Sequence, residues 1–225
     1  MADHDVVART EDHVRGLLGR EPTGHDWWHA DRVRSLAKAI AEREGADVVV
    51  VELAALLHDV ADAKFTGSDE TGPRAAREWL GALPLGLDTV ESVATIIERM
   101  SFKGALVPEE QLSVEGRCVQ DADRLDAMGA IGIARTFAYG GFVRRPLHDP
   151  DIPAEMHATR DSYRNNVGTT INHFHEKLLL LKDRLHTESA RQIAEQRHDF
   201  MVHFLDQFHH EWQVTDRSGP LDRAR

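Results

Sequence analysis

Apolar residues recur at helical spacing through most of the chain. His29, Val33, Leu36, Ala37 and Ile40 fall on one face of a helix predicted over 30–44, preceded by a capping signal at Thr23–Asp26 and stopped by Gly45. Asp47 is placed to cap the next helix, in which Val50, Leu53, Ala54, Leu57, His58 and Ala61 share a face. A shorter helix is predicted over 68–83, with Trp79 on its apolar side and Pro84 at its end. Another covers 88–100, with Val90, Val93, Ala94, Ile97 and Met100 as its stripe. A long helix over 113–139 carries Val119, Ala122, Asp123, Asp126, Ala130, Ile133 and Phe137 along one side. The Gly/Pro-punctuated stretch GGFVRRPLHDPDIP reads as a loop over 140–153. Two further helices are predicted over 154–186 and 188–212, parted near Thr187, with a frayed tail from Asp216. Residues 1–13 are polar and acidic and are assigned no element. Only Val48–Val51 has strand-like composition, and it runs into a helix. The expected class is all-α: a single-domain helical bundle over 1–225, with the C-terminal helices (about 154–212) packed on the rest.

Composition narrows the function classes. Lys and Arg number 27 against 38 Asp and Glu, a formal charge of −11, which argues against a grip on a nucleic-acid backbone. A small anionic substrate stays compatible, because a metal and a few cations can reverse the sign inside a cleft. The longest apolar runs, Val48–Val51 and Leu53–Leu57, are too short to span a membrane. No basic segment leads into an apolar core near the start, and the one cysteine, Cys118, fits a reducing compartment. A cytoplasmic protein is expected.

The candidate chemistry lies at His29, the His58-Asp59 pair and the acidic stretch Asp121–Ala127. His58 and His29 sit on core-facing stripes, and Asp123 is in register with Val119 and Ala130. A carboxylate buried at such a position is costly without a cation. Two imidazoles and two carboxylates are a mixed N/O set suited to one divalent transition metal with open positions for water and substrate. Each piece taken singly is weak: HD dipeptides recur at His25-Asp26, His148-Asp149 and His198-Asp199, and Asp126 shares a face with Asp123.

Their order resembles the H…HD…D pattern of the HD-domain superfamily of metal-dependent phosphohydrolases. It is carried by His29 in HDWWHADRV, His58-Asp59 in LAALLHDVADAKF and Asp123 in VQDADRLDAMGAIGIARTFAYGG. The chain is most similar to the small bacterial subgroup of predicted nucleotide pyrophosphohydrolases, through SFKG (101–104), RPLHDP (145–150) and HFHEKLLLLKDRL (173–185), so the likeness spans about 24–212. The resemblance implies an HD-domain bundle with His29, His58, Asp59 and Asp123 as metal ligands; Asp126, one helical turn on, is the alternative to Asp123. It implies one divalent ion, Mn2+ favoured, with Fe2+, Co2+, Ni2+ or Zn2+ compatible.

On this reading Asp62 orients or deprotonates the attacking water. Lys64 and Lys103 clamp phosphate oxygens, Arg144 and Arg145 close over the substrate from the loop, and His25 contacts substrate or supports a ligand. The resemblance points to a nucleoside triphosphate cleaved to monophosphate and pyrophosphate. The runner-up is phosphomonoester cleavage of the nucleoside 5′-monophosphatase type. A non-catalytic nucleotide-binding module ranks lower. So does a di-iron oxygenase, since TIIERMSFKG lacks the histidines that chemistry needs. Trp27 and Trp28 are expected to pack the start of their helix, and Trp79 and Trp212 to anchor core edges. His173, His175, His198, His203, His209 and His210 are read as structural or exposed. The Leu178–Leu181 run is read as a buried helix segment or part of a homodimer face.

Overall fold

A computed structural model describes residues 2–19, 23–60 and 70–213. Among them every regular element is a helix: α1 (Ala2–Leu18), α2 (Trp27–Glu44), α3 (Val48–Leu57), α4 (Thr71–Gly81), α5 (Leu87–Arg99), α6 (Val114–Asp126), α7 (Gly129–Phe142), α8 (Arg160–Arg164), α9 (Thr170–Glu176), a 3-10 helix (Leu178–Arg184) and α10 (Glu188–Trp212).

Helix α3 is the hub. Its sequence VVVVELAALL has no free polar face, and residues Val50–Leu57 are all buried. Four consecutive valines are poor helix formers, so tertiary packing must hold this helix. The Asp47 carboxylate caps it by accepting from the N–H groups of Val49 (2.9 Å) and Val50 (3.2 Å). Its one charge, Glu52, is buried and accepts from Arg34 (3.2 Å) and Lys38 (3.3 Å) of α2. Helices α1, α2, α5 and α6 pack around it, and α4 pairs with α5.

Three expectations need correction. The acidic N-terminal stretch is helical, because Val6, Val7 and Val14 are buried against the core and Thr10 is buried with them. The Thr10 hydroxyl donates to the Val6 carbonyl (2.9 Å) and accepts from the Trp79 indole (3.0 Å), tying α1 to α4. The long helix over 113–139 is two helices. Met128 is extended and Gly129 takes φ +69°, so the chain turns sharply between α6 and α7. Arg197 of α10 fills the elbow, its guanidinium donating to the Leu125 carbonyl (2.5 Å). The helix expected over 154–186 is instead a wrapped segment with short helices. Asn166 accepts from the Gly168 N–H (2.7 Å) in a tight turn, and buried Glu176 accepts from the Glu155 N–H (3.1 Å) and the Asn166 amide (2.7 Å). Lys177, at φ −142°, then breaks α9 from the 3-10 helix, which buries Leu178 and Leu181 within the chain.

The start of α10 is fixed from α6. Asp121, fully buried, accepts from the N–H groups of His186 (2.9 Å) and Thr187 (2.8 Å) and from the Thr187 hydroxyl (2.8 Å). Asp121 is thus a structural carboxylate, and α10 packs over α7 and α6. Trp27 is buried beneath Arg15, while Trp28 is exposed. No described helix is long and apolar enough to cross a membrane.

Candidate metal centre

Four side chains from three places in the chain meet beside α3. The Asp26 carboxylate caps α2 by accepting from the His29 N–H (2.9 Å), which sets His29 in the first turn with its ring pointing inward and fully buried. His58 closes α3, and Asp59 follows in the turn. Asp123 comes from the last turn of α6. His29 Nε2 lies 3.1 Å from His58 Nε2, 3.1 Å from Asp59 Oδ2 and 3.5 Å from Asp123 Oδ1. His58 Nε2 lies 3.6 Å from Asp59 Oδ1 and 3.8 Å from Asp123 Oδ1.

Hydrogen bonds at the far side of each ring decide what these atoms offer. His58 Nδ1–H donates to the Ala55 carbonyl (2.7 Å), an obligate acceptor, so its Nε2 carries a lone pair. His29 Nδ1 lies 2.7 Å from Asp126 Oδ2. Asp126 is held by Arg32 Nε (2.7 Å) and by Arg135 Nη1 (3.1 Å). Burial alone would raise the Asp126 carboxyl, yet the hydrogen bonds from His29 and Arg32 hold it far below the usual carboxylate range. It therefore accepts, and His29 donates from Nδ1, leaving Nε2 to face the cluster.

Two imidazole lone pairs and two carboxylates then converge with no donor among them. Such a set is unfavourable unless a cation or protons sit between. Burial opposes a second proton on His29, but hydrogen bonds to Asp126 and Asp59 outweigh it and raise the imidazole. The Asp59 carboxyl, which burial alone would raise, is held well below its ordinary range by His58 and His25. Groupings of His29, His58 and Asp123, and of His25, His29 and Asp59, have their ligand atoms mutually within 4.8 Å. The donor set fits a divalent transition metal.

Asp123 and Asp126 part company here. Asp123 joins the two imidazoles, with its side chain 37% exposed because it opens onto a cavity. Asp126 is buried behind His29. The expectation that Asp123 lies on a buried face is corrected accordingly. His25 Nδ1 lies 2.5 Å from Asp59 Oδ2 and also lines the cavity.

The cavity measures about 420 Å³ and reaches from His58, Asp59 and Asp123 to the wrapped segment. Among the described residues five cations line it (Arg124, Arg135, Arg145, Arg160 and Lys177) against two carboxylates, Asp59 and Asp123. Phe102, Tyr139, Tyr163 and His173 add aromatic surface. Arg145 is among the lining residues; Arg144 is exposed and not among them. Lys103 is not a lining residue either: its ammonium pairs with Glu110 in a neighbouring crevice. Asp62 and Lys64 lie outside the described residues.

Sequence reasoning passed over Arg135, Arg160, Lys177 and Tyr163. One signal was present. Residues 128–147 contain three arginines and no acid in a chain of formal charge −11.

All four clustered side chains fall within residues 27–128, which match the family model of the HD domain. The chain belongs to the HD-domain superfamily and is an HD-type phosphohydrolase of a family that binds divalent metal. It is similar to YpgQ of Bacillus subtilis (strain 168), an uncharacterized protein, at 40% identity over 195 residues, 86% of this chain and 87% of YpgQ. A crystal structure of YpgQ in complex with ADP matches with a TM-score of 0.74 at 34% identity, covering 97% of this chain and 100% of that one. A crystal structure from Lactobacillus plantarum matches with a TM-score of 0.84 at 38% identity, over 92% and 97% of the two chains. An HD-superfamily hydrolase from Bacillus thuringiensis matches with a TM-score of 0.71 at 41% identity, over 95% and 100%.

Proposed function

We propose that this phosphohydrolase cleaves a nucleoside triphosphate to the monophosphate and pyrophosphate. His29, His58, Asp59 and Asp123 hold one divalent ion, Mn2+ in the favoured case. The observation that carries the reading is the opening of this acceptor-only cluster, through Asp123, onto a cavity walled by cations and aromatics. A polyanion needs that positive wall, and a nucleobase has a flat face to place on an aromatic ring. Support also comes from YpgQ, which has been crystallised with ADP.

When bound, the ion supplies Lewis acidity to the phosphoryl group and acidifies water. The chain's own groups do the rest. His25, through its 2.5 Å contact, holds Asp59 in place. Arg135, Arg145, Arg160 and Lys177 bind phosphate oxygens and offset the charge that builds as the bond from the α-phosphorus to the bridging oxygen breaks. Asp62 keeps its proposed role of orienting the attacking water.

The test is product analysis. Purified protein with Mn2+ is given nucleoside triphosphates and monophosphates, and pyrophosphate and orthophosphate are measured separately. Pyrophosphate with monophosphate supports the reading. Orthophosphate from a nucleoside monophosphate identifies a phosphomonoesterase instead. Tight nucleotide binding without turnover identifies a sensing module.

A further inference from the structure

Asp126 has a bonding pattern that a second ligand or a surface carboxylate would not need. Four N–H groups reach its two oxygens. Arg32 grips it from both sides, Nε to Oδ1 (2.7 Å) and Nη2 to Oδ2 (3.0 Å); Arg135 Nη1 (3.1 Å) and His29 Nδ1 (2.7 Å) also reach Oδ2. Three of the four converge on Oδ2, so the oxygen that faces His29 is fully occupied on the side remote from the cluster. The two guanidiniums come from different helices, α2 and α7.

Arg135 extends the clamp further. Its Nε donates to the Gly24 carbonyl (2.7 Å), in the turn that carries His25. Gly24 sits at φ +86° with Arg135 packed on it; a Cβ there would come 3.1 Å from the Arg135 Cγ. The position accepts only glycine without strain.

We propose that Asp126, held by Arg32 and Arg135, is a positioning residue that fixes the Nδ1–H tautomer of His29 and thereby aims its Nε2 at the cation. This rests on the metal-binding reading of the cluster. The two guanidiniums supply three of the four N–H contacts and fix the carboxylate in place as the acceptor of the ring N–H. His29 is thus held in one ring orientation, with Nδ1 toward Asp126 and Nε2 toward the cluster. An imidazole left without that acceptor divides between two tautomers, and one of them presents Nε2–H, which cannot ligate. Carboxylates behind ligating histidines act this way elsewhere, and their loss weakens metal binding by roughly 10- to 100-fold.

The test uses the full chain and Mn2+ alone as the probe. Free Mn2+ is followed by electron paramagnetic resonance, and the His29 tautomer by long-range 15N–1H correlation in metal-free protein. Asp126→Asn keeps the shape but can turn its amide N–H groups toward His29. The expected result is a rise of roughly 10- to 100-fold in the Mn2+ dissociation constant, with a shift of His29 toward Nε2–H. Saturating Mn2+ should restore most turnover, since no ligand is lost. Arg32→Lys, at a half-exposed site, keeps the charge without the fork. It should show a smaller rise of the same kind, and it carries the test should Asp126→Asn fail to fold. An unchanged dissociation constant and tautomer in the folded variants overturns the proposal. So does a loss of Mn2+ as complete as in His29→Ala, which would make Asp126 itself a ligand. Failure of wild-type protein to bind Mn2+ at all sinks the metal-binding reading instead, and the two failures cannot be confused.

Discussion

Asp123→Asn is the substitution that most cleanly questions the metal centre. The side chain is the most exposed of the four, and the change is nearly isosteric, so the bundle should fold. A cation held by these four side chains would join α2, the end of α3 and α6, which separate on unfolding, so it would bind only the native state. At a Mn2+ concentration about 100 times the dissociation constant, linkage adds about 2.7 kcal/mol to stability. For a chain of this size that is a rise of roughly 5–11 °C in Tm. Removing a charged ligand should weaken binding at least about as much as the 100-fold seen for supporting residues. The same Mn2+ then adds only about 0.4 kcal/mol, or roughly 1 °C. Differential scanning calorimetry of wild type and variant, each with Mn2+ and with EDTA, reads the difference directly. A full Mn2+ increment in Asp123→Asn refutes the ligand assignment. The absence of any increment in wild type refutes the centre.

Three further outcomes follow from named contacts. Arg145→Ala should raise KM for a nucleoside triphosphate about tenfold or more, as loss of a charge-assisted contact implies. Lys103→Ala, whose ammonium is spent on Glu110, should stay within about twofold, and the reverse order in steady-state kinetics would discredit the cavity as the binding site. Burial pushes the Cys118 thiol up from 9.0 to about 12. Its stabilising contribution is complete below the unfolded value and fades as pH rises from 9.0 toward about 12, by up to about 1.4 kcal/mol per unit. Denaturant titrations at about pH 8 and about pH 10 should show that slope in wild type but not in Cys118→Ala; equal slopes would refute it. Asp121→Ala orphans the buried donors at the start of α10 and should cost about 3 kcal/mol in urea unfolding. A cost below about 1 kcal/mol would show that water replaces the carboxylate.

The helical class was legible in the sequence, and so was the placement of His29 and His58 on core-facing stripes, because both depend on local register. His29 shares a stripe with Val33 and Ala37, and His58 ends a stripe begun at Val50. What escaped depends on tertiary partners. The Val6, Val7 and Val14 stripe of α1 is short and set in acidic residues, and only packing on α3 makes it apolar enough to matter. The elbow after Asp126 carries no proline; an unbroken apolar pattern runs through Met128 while the backbone turns. The wrapped segment 154–169 looks helical in composition, yet its backbone is drawn into extended contacts, such as the His157 carbonyl accepting from the Leu106 N–H (3.1 Å). Arg160, Tyr163 and Lys177 line the cavity from that side. No spacing rule links them to His58, since they lie about a hundred residues away and meet it only across empty space.

The elbow at Gly129 has a wider consequence. Asp126 stands on one side of it and Arg135 on the other, so the bend folds the Arg135 guanidinium back to within 3.1 Å of Asp126, while Asp123 and Arg135 both face the cavity. That angle is wedged by Arg197, which belongs to a helix that contributes no side chain to the cavity. The last helix therefore backs the cleft from behind, through packing on the elbow, while none of its own described side chains lines the cavity.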